Sequence, residues 1–306
     1  MHERPSETSA PSALVDRLRA HVEHLAGVVG ERHLFRHGTL DAARAYIEAE
    51  WERQGYRAAL QWFEVMGHRC ANVEAERTGR ASPGRILLIG AHYDTVPGSP
   101  GANDNASGVA ALLEISRLFA GRTPRLTVRF VAFANEERPF FGSDGQGSAV
   151  CARAARLRGD DVLLMASLET IGCYRDEPHS QRHPPLFGLF YPHRGNFVAF
   201  VSDLRSRRRM HEAAAVFRAA SNFPLEEVAT FRFVPGVGWS DHRAFWECGY
   251  RAFMVTDTAF CRYPHYHTAR DTPDRLNYGP LARVTEALFH TFAALCEGDE
   301  GAAERR

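Results

Sequence analysis

Three short, strongly apolar runs separated by helical stretches constrain this chain more than any other feature. The runs cover residues 86–91, 126–134 and 162–168. Each is too short for a buried helix, and its composition suits a strand that is covered on both faces. Helical stretches occupy the two intervals, at residues 106–119 and about 145–157. Because crossovers between parallel strands are right-handed, this order predicts three parallel strands at the centre of a sheet.

The flanking sequence adds elements on both sides of this centre. Apolar residues recur at helical spacing over residues 15–25, and a second helix is predicted at residues 40–54, with Thr39 as its cap and Gly55 as its stop. The remaining predictions are an antiparallel edge from strands at 56–65 and 72–76, further strands near 197–201, 226–234 and 251–256, and helices near 205–220 and 281–295.

These elements predict an α/β fold, with three αβα layers around a mixed, mostly parallel sheet. The chain has 306 residues, 44% of them hydrophobic, which is enough to bury one large core. We expect a single domain over residues 12–297. The polar ends of the chain, residues 1–11 and 298–306, are expected to be flexible tails.

Charge and cysteine content narrow the classes of partner. Basic and acidic residues balance at 37 each, so no net field attracts nucleic acid or an anionic membrane. The arginine-rich stretch at residues 205–209 lacks interleaved aromatic residues, which favours an exposed helix face. Six scattered cysteines without CxxC pairs, and no apolar leader in residues 1–12, predict reduced thiols and a cytoplasmic location. We expect a small neutral ligand and leave the oligomeric state open.

Acidic and imidazole side chains follow the apolar runs at the point where each predicted strand ends. His92-Tyr93-Asp94 follows the first run, Asn135-Glu136-Glu137 follows the second, and Glu169 closes the third. Asp104 stands just ahead of the next helix and faces the same edge. Ligand sites of open α/β sheets lie beyond the carboxyl ends of the strands. We therefore expect these groups to meet in one site.

The donor types in this set point to a metal. Imidazole and carboxylate ligands without thiolates suit zinc, with cobalt or manganese as possible substitutes. Two histidines and three carboxylates can hold two ions about 3.5–4 Å apart if one carboxylate bridges them. Such a pair holds a hydroxide and polarises a carbonyl, and a fourth carboxylate remains free as a base. The sequence therefore predicts hydrolytic chemistry.

Four ordered motifs, spread over residues 71–278, resemble the M28 family of zinc peptidases. They are Gly90-Ala91-His92-Tyr93-Asp94, Gly101-Ala102-Asn103-Asp104-Asn105-Ala106-Ser107-Gly108, Asn135-Glu136-Glu137, and Tyr266-His267-Thr268 with Asp271-Thr272. The resemblance implies a zinc aminopeptidase-like fold of the phosphorylase/hydrolase type and two Zn²⁺ per chain.

The resemblance also implies a role for each ligand. His92 corresponds to the first ligand of one zinc and Asp104 to the carboxylate that bridges both ions. Glu137 and His267 correspond to ligands of the other zinc. Glu169 stands where many family members have Asp, and its longer side chain changes the reach of the carboxylate. Metal preference is therefore less constrained than metal binding.

Residues around the ligands receive roles from the same resemblance. Glu136 corresponds to the general base, and Asp94 to the acid that hydrogen-bonds the ligating imidazole of His92. The family often has a cis peptide after its bridging Asp, which makes Asp104-Asn105 the candidate bond. Ser240-Asp241-His242 resembles a shared segment that supports the ligands or forms part of the substrate site, without ligating metal. His265 is the competing candidate for the position assigned to His267.

The resemblance leaves several functions open. The first is an exopeptidase that hydrolyses a terminal peptide bond of a peptide or small amide, with an aminopeptidase ahead of a carboxypeptidase or dipeptidase. A glutaminyl cyclase-like transferase with one zinc is the alternative, and a non-catalytic binding module is a third reading. Intact ligand positions for both zincs argue against these last two.

Two long loops, at residues 173–185 and 260–278, are expected to form the rim of the site. Four of their residues are candidates to line the pocket: Tyr174, Arg175, Arg262 and Tyr263. The two arginines have two open interpretations, as pocket residues that meet a substrate carboxylate or as surface residues.

Overall fold

The computed structural model describes residues 12–183 and 187–298, which build a mixed eight-stranded sheet. In chain order the strands are β1 (Ala59–Val65), β2 (His68–Arg77), β3 (Ser82–His92), β4 (Leu126–Phe133), β5 (Asp161–Glu169), β6 (Val198–Asp203), β7 (Leu225–Thr230) and β8 (Ala252–Thr256). Across the sheet the order is β1-β2-β4-β3-β5-β8-β6-β7. As predicted, β3 pairs in parallel with both β4 and β5, and β1-β2 forms an antiparallel edge.

Helices cover both faces of this sheet. They are α1 (Ser12–Val22), α2 (Thr39–Arg53), α3 (Gly108–Phe119), α4 (Gly147–Arg158), α5 (Arg207–Ala220), α6 (His242–Glu247), α7 (Ala259–Arg262) and α8 (Tyr278–Glu297). Shorter helical turns occupy Glu23–Val29, Ala102–Ser107, Phe187–Leu189 and Pro273–Arg275.

The alternation of side chains on β3 shows why helices cover both faces of the sheet. Leu87 and Ile89 pack into the core beneath α1, α2, α3, α5 and α8, whereas Ile86 and Leu88 pack into a second core with α4 and α6. Successive residues of a strand point to opposite faces, so a continuous apolar run requires a helix layer on each side. The predicted αβα layering is confirmed.

Some boundaries differ from the predictions. Thr39 is the first residue of α2 rather than its cap, because its hydroxyl donates to the Arg36 carbonyl, and Gly38 precedes the helix in the left-handed region. Gly55 ends α2 as predicted, at φ 82°. Strand β7 ends at Thr230, since the chain then turns and the Val234 amide donates to the Phe231 carbonyl.

Three further predictions concern the chain as a whole. The single-domain boundary at residues 12–297 stays a prediction, and the tails at residues 1–11 and 299–306 lie outside the described residues. All six cysteines are free thiols. Among the residues that the structure describes, no helix combines the length and the apolar character needed to cross a bilayer.

Candidate metal centre

The candidate metal centre forms where the central parallel strands end. His92 is the last residue of β3, Glu169 is the last residue of β5, and Glu136 and Glu137 follow β4 after a short turn. His92 is paired with Phe133, which brings the ends of β3 and β4 to the same level. Strand pairing therefore collects these four side chains at one edge of the sheet.

Two more side chains reach this edge from loops. Asp104 lies in the turn Ala102–Ser107 ahead of α3, and His267 follows α7 with its backbone in the left-handed region. The Asp104-Asn105 peptide bond is cis, as the resemblance predicted. The structure thus brings together the five predicted ligands and the predicted base, whereas the competitor His265 belongs to none of the metal-capable groups among the described residues.

Asp104 lies between the two histidines. His92 Nε2 is 3.3 Å from Asp104 Oδ1 and 3.3 Å from Glu169 Oε2. His267 Nε2 is 2.9 Å from Asp104 Oδ2 and 3.2 Å from Glu137 Oε1. Each oxygen of one carboxylate therefore faces a different imidazole and a different second carboxylate. This arrangement fits two adjacent cations that share Asp104.

The burial of the cluster supports a cation at these positions. Asp104, Glu136, Glu137 and Glu169 are each at most 7% exposed. Buried carboxylates are unfavourable unless positive charge compensates them, and two imidazoles are too few for four acids. Asp104 Oδ2 and His267 Nε2 lie 2.9 Å apart, a separation that two ligands of one cation can have. The donor set contains no thiol, which fits zinc.

The pKa values of the clustered side chains also support a bound cation. Burial raises the pKa of Glu136 well above its ordinary value, and burial together with the Asp104 charge raises the pKa of Glu137 to about 8. Burial acts to lower the pKa of His267, but hydrogen bonding to Asp104 and Glu137 outweighs it and raises that pKa to about 10. The cluster therefore retains protons that a bound cation would displace.

Asp94 holds the turn that carries Glu136, the predicted base. Its carboxylate accepts the backbone N–H of Glu136 at 2.9 Å and that of Glu137 at 3.0 Å. Asn135 has a positive φ, which directs both amides toward this carboxylate. The predicted contact to His92 is longer, at 3.5 Å from Nδ1, and that nitrogen has no hydrogen-bond partner among the described residues. Asp94 therefore orients Glu136 more directly than it orients the imidazole.

Asp271 holds the turn that carries Asp104, the predicted bridging ligand. Its carboxylate accepts the backbone N–H of Asn103 at 2.8 Å and that of Asp104 at 3.0 Å. The hydroxyl of Tyr263 donates to the same carboxylate at 2.9 Å. Asp271 entered the sequence analysis only as part of a motif. Its position four residues after His267 was the available signal for this supporting role.

Glu169, another predicted ligand, is supported from two sides. Ser240 Oγ donates to Glu169 Oε2 at 2.7 Å, a contact that agrees with the supporting role predicted for the Ser240-Asp241-His242 segment. Asn105 donates to the Leu168 carbonyl at 2.8 Å and accepts the Thr170 amide at 3.0 Å. These bonds tie the turn of Asp104 to the end of β5.

Arg32 is a supporting residue that the sequence analysis missed. It is fully buried and donates to the carbonyl groups of Tyr93, Pro100 and Gly101, at 2.9, 2.6 and 2.9 Å. These bonds fix the segment that connects His92 to Asp104. No local pattern distinguishes Arg32 from the other arginines, so only tertiary packing reveals it.

Three of the four candidate rim residues are buried inside the protein. Arg262 is buried and donates to the carbonyls of Cys173 and Phe197, at 3.1 and 2.8 Å, so it neither lines a pocket nor lies on the surface. Tyr174 and Tyr263 are also buried. The pocket interpretation was wrong for these three residues, and the surface interpretation was wrong for Arg262, because the loops fold inward.

An apolar groove opens beside the metal centre. It encloses about 850 Å³, counted out to its open mouth, and Glu169 and Tyr266 form its inner end. Tyr266 stacks on His267 with ring centroids 3.8 Å apart. Burial, followed by the charges of Asp104 and Glu169, raises the pKa of the Tyr266 hydroxyl, which therefore stays protonated as a donor. The apolar lining includes Phe187, Phe197, Val228, Trp239, Met254 and Phe260.

Comparison with known proteins decides the family. The model of peptidase family M28 matches residues 72–292, most of the chain. The chain belongs to peptidase family M28. This M28 protein is thus a metallopeptidase, as predicted, and the family supports zinc as its metal.

Individual relatives agree with this assignment. The M28 chain is 37% identical over 283 residues to the Escherichia coli K12 protein named "Uncharacterized protein YfbL", with 90% of this chain and 86% of that protein covered. A "Probable zinc metalloprotease" of Pyricularia oryzae is 34% identical over 319 residues, with 88% of this chain and 60% of that protein covered. The structure of BSAP, a zinc aminopeptidase from Bacillus subtilis, shares the fold at a TM-score of 0.74 and 13% identity, covering 94% of this chain and 96% of that chain.

Proposed function

We propose that this M28 metallopeptidase is an aminopeptidase that binds two zinc ions and removes an apolar amino-terminal residue from peptides. The observation that carries the proposal is Asp104, whose two oxygens face different imidazoles at 3.3 and 2.9 Å. A carboxylate in this position can bridge two metal ions. The aminopeptidase character of BSAP, which has the same fold, supports the exopeptidase part of the proposal.

The proposed ligands divide into two sets that share Asp104. His92 and Glu169 complete one set, and Glu137 and His267 complete the other. Zinc bound at these residues supplies Lewis acidity that polarises the scissile carbonyl and lowers the pKa of water. Cobalt and manganese accept the same donors and are the proposed substitutes.

Glu136 is the proposed general base. It belongs to the cluster at the strand ends without being needed in either ligand set, and Asp94 fixes its backbone. Burial raises the pKa of its carboxyl, and a higher pKa makes the carboxylate a stronger base. Glu136 accepts a proton from the attacking water and then donates it to the leaving amine.

The groove beside Glu169 and Tyr266 is the proposed site of the substrate side chain. Its lining is mainly aromatic and aliphatic, so burial of a large apolar side chain would stabilise the bound peptide. The Tyr266 hydroxyl, held protonated by the surrounding carboxylates, is the proposed donor to the scissile carbonyl oxygen.

Metal content and substrate choice test this proposal together. We expect two zinc ions per chain after zinc loading and gel filtration, measured by atomic emission. We expect faster hydrolysis of leucyl and phenylalanyl anilides than of aspartyl anilide, and no hydrolysis of the N-acetylated forms. One zinc per chain with cyclisation of amino-terminal glutamine would replace the proposal by the cyclase alternative. Cleavage of N-acetylated substrates alone would exclude an aminopeptidase.

We also propose a cytoplasmic location, which the six free thiols support because reducing compartments maintain them. Fractionation of the source cells with activity assays of each fraction tests it. Recovery of the protein outside the cytoplasmic fraction would contradict it.

A further inference from the structure

A second cavity lies at the opposite edge of the sheet from the metal centre. It encloses about 1590 Å³, counted out to its open mouth. Arg85 and Leu126 lie in its wall near the starts of β3 and β4, and Asp161 and Val162 form the start of β5. The metal centre occupies the carboxyl ends of these strands. The cavity is therefore separate from the proposed substrate site, and an inference about it does not rest on the proposed function.

The cavity wall carries an excess of positive charge. Its five arginines are Arg85, Arg205, Arg208, Arg209 and Arg251, and its acids are Asp161 and Glu212.

The two acids already have cationic partners. Glu212 is shared by Arg208 and Arg209, at 3.0 and 2.9 Å, and Asp161 lies 3.8 Å from Arg85. Within residues 12–183 and 187–298, Arg205 and Arg251 form no ion pair with a carboxylate. Two guanidinium groups of this wall are therefore available to an external anion.

Arg251 is the clearest case of an arginine in this wall whose positive charge no carboxylate of the described residues pairs with. Its Nη1 is buried and has no hydrogen-bond partner among the described residues. Burial lowers the pKa of Arg251, and the nearby charge of Arg205 lowers it further. A buried donor without an acceptor is unfavourable, so the described part of the structure does not neutralise Arg251 internally. An anion beside the two arginines would offset the repulsion between them.

The shape and floor of the cavity indicate the size of the ligand. The floor is apolar, with Leu87, Leu164, Val216 and Leu295 among its residues. A concave site with an apolar floor and a few convergent charged groups is typical of small-molecule binding rather than of a flat polymer interface. Guanidinium groups bind phosphate and carboxylate with paired hydrogen bonds.

We propose that this cavity binds a compact anion with at least two negative charges, of the phosphate or polycarboxylate class, between Arg205 and Arg251. The site lies far from the catalytic edge, so the anion acts as a second ligand of the enzyme and not as its substrate.

Titration of the zinc-loaded protein with inorganic phosphate tests the proposal by calorimetry at low salt. We expect R205Q/R251Q to weaken phosphate binding by roughly tenfold or more, because charge-assisted hydrogen bonds are lost. R207Q is the matched control, since Arg207 is exposed, lies two residues after Arg205 and does not line the cavity. Phosphate bound at the zinc centre contributes equally to the titrations of wild type, R205Q/R251Q and R207Q. It therefore does not affect the difference in phosphate affinity between these proteins.

The single variant R205Q keeps the test valid if the double variant misfolds. Arg205 is exposed, so we expect its replacement to leave the fold intact. We expect R205Q to keep the wild-type peptidase rate and to bind phosphate less tightly, and we expect added NaCl to weaken wild-type binding. Equal phosphate affinity in wild type, R205Q and R205Q/R251Q would overturn the proposal. Binding to anionic lipid vesicles without binding to phosphate would also overturn it and assign the arginines to a membrane surface.

Discussion

Asp104 and Glu136 are both buried acids at the same sheet edge, yet their surroundings give them different properties. Burial acts to raise the pKa of Asp104, but hydrogen bonds from His267 and His92 outweigh it and keep that pKa below its ordinary value. Glu136 has no such bond, and burial raises its pKa. Asp104 is therefore suited to ligate a cation, and Glu136 is suited to exchange protons.

This difference predicts the behaviour of Glu136→Gln. We expect the variant to bind the wild-type amount of zinc and to lose about 10²- to 10⁴-fold in kcat, the usual contribution of a general base. Zinc content by atomic emission and anilide hydrolysis measure the two effects. Glu52→Gln, at an exposed site on α2, is the control. A Glu136→Gln enzyme with more than half of the wild-type rate would remove Glu136 from the mechanism.

The junction between the Asp104 turn, α3 and β5 holds the elements of the site together. Gly108 begins α3 at the point where the helix meets the end of β5. A Cβ at Gly108 would collide with Asn105 Oδ1 and would lie 2.6 Å from the Leu168 carbonyl oxygen. Asn105 and Leu168 adjoin the proposed ligands Asp104 and Glu169. The close approach of helix to strand thus also sets the distance between two ligands.

Gly108→Ala tests this junction. We expect the free energy of unfolding to fall by about 1–3 kcal/mol, as for other overpacked sites, and zinc affinity to fall with it. Urea unfolding and zinc titration provide the measurements. Gly121→Ala is the matched control, because nothing lies within 4 Å of a Cβ at that glycine. If the two variants were equally stable and bound zinc equally, the junction would not be as close as described.

Stability of the complete molecule depends on pH through a buried neutral histidine. His242 is fully buried and its Nε2–H donates to the Val237 carbonyl at 2.8 Å. Burial lowers the pKa of His242 from its ordinary 6.5 to about 4. Between these values the unfolded chain binds a proton that the folded chain does not bind. The free energy of unfolding therefore decreases as pH falls from 6.5 toward 4.

We expect this histidine to contribute a loss of up to about 3 kcal/mol across that interval. Urea unfolding of the zinc-free protein at several pH values measures it, with His242→Gln and the exposed His290→Gln compared with wild type. His242→Gln should show a smaller pH dependence than wild type, and His290→Gln should match wild type. Parallel pH profiles for all three proteins would contradict the assignment.

Sequence alone was sufficient for the central strands and for the residues that meet at the candidate metal centre. The runs that became β3, β4 and β5 are recognisable because both faces of each strand are buried, and that requirement leaves a local apolar pattern. His92, Glu169 and Glu136 were found because strand ends and motifs are also local features. His267 was found only through its motif, since no periodicity marks a loop residue.

Tertiary structure decided the remaining features. Arg32 donates to a carbonyl 68 residues away, and Asp271 holds an amide 167 residues away. Arg262, expected at the rim, turned inward because the carbonyls of Cys173 and Phe197 needed a donor. Such pairings depend on which unsatisfied groups packing brings together. Local structural preferences can be predicted from the residue pattern. The partners of buried polar groups are determined only when folding brings distant segments into contact.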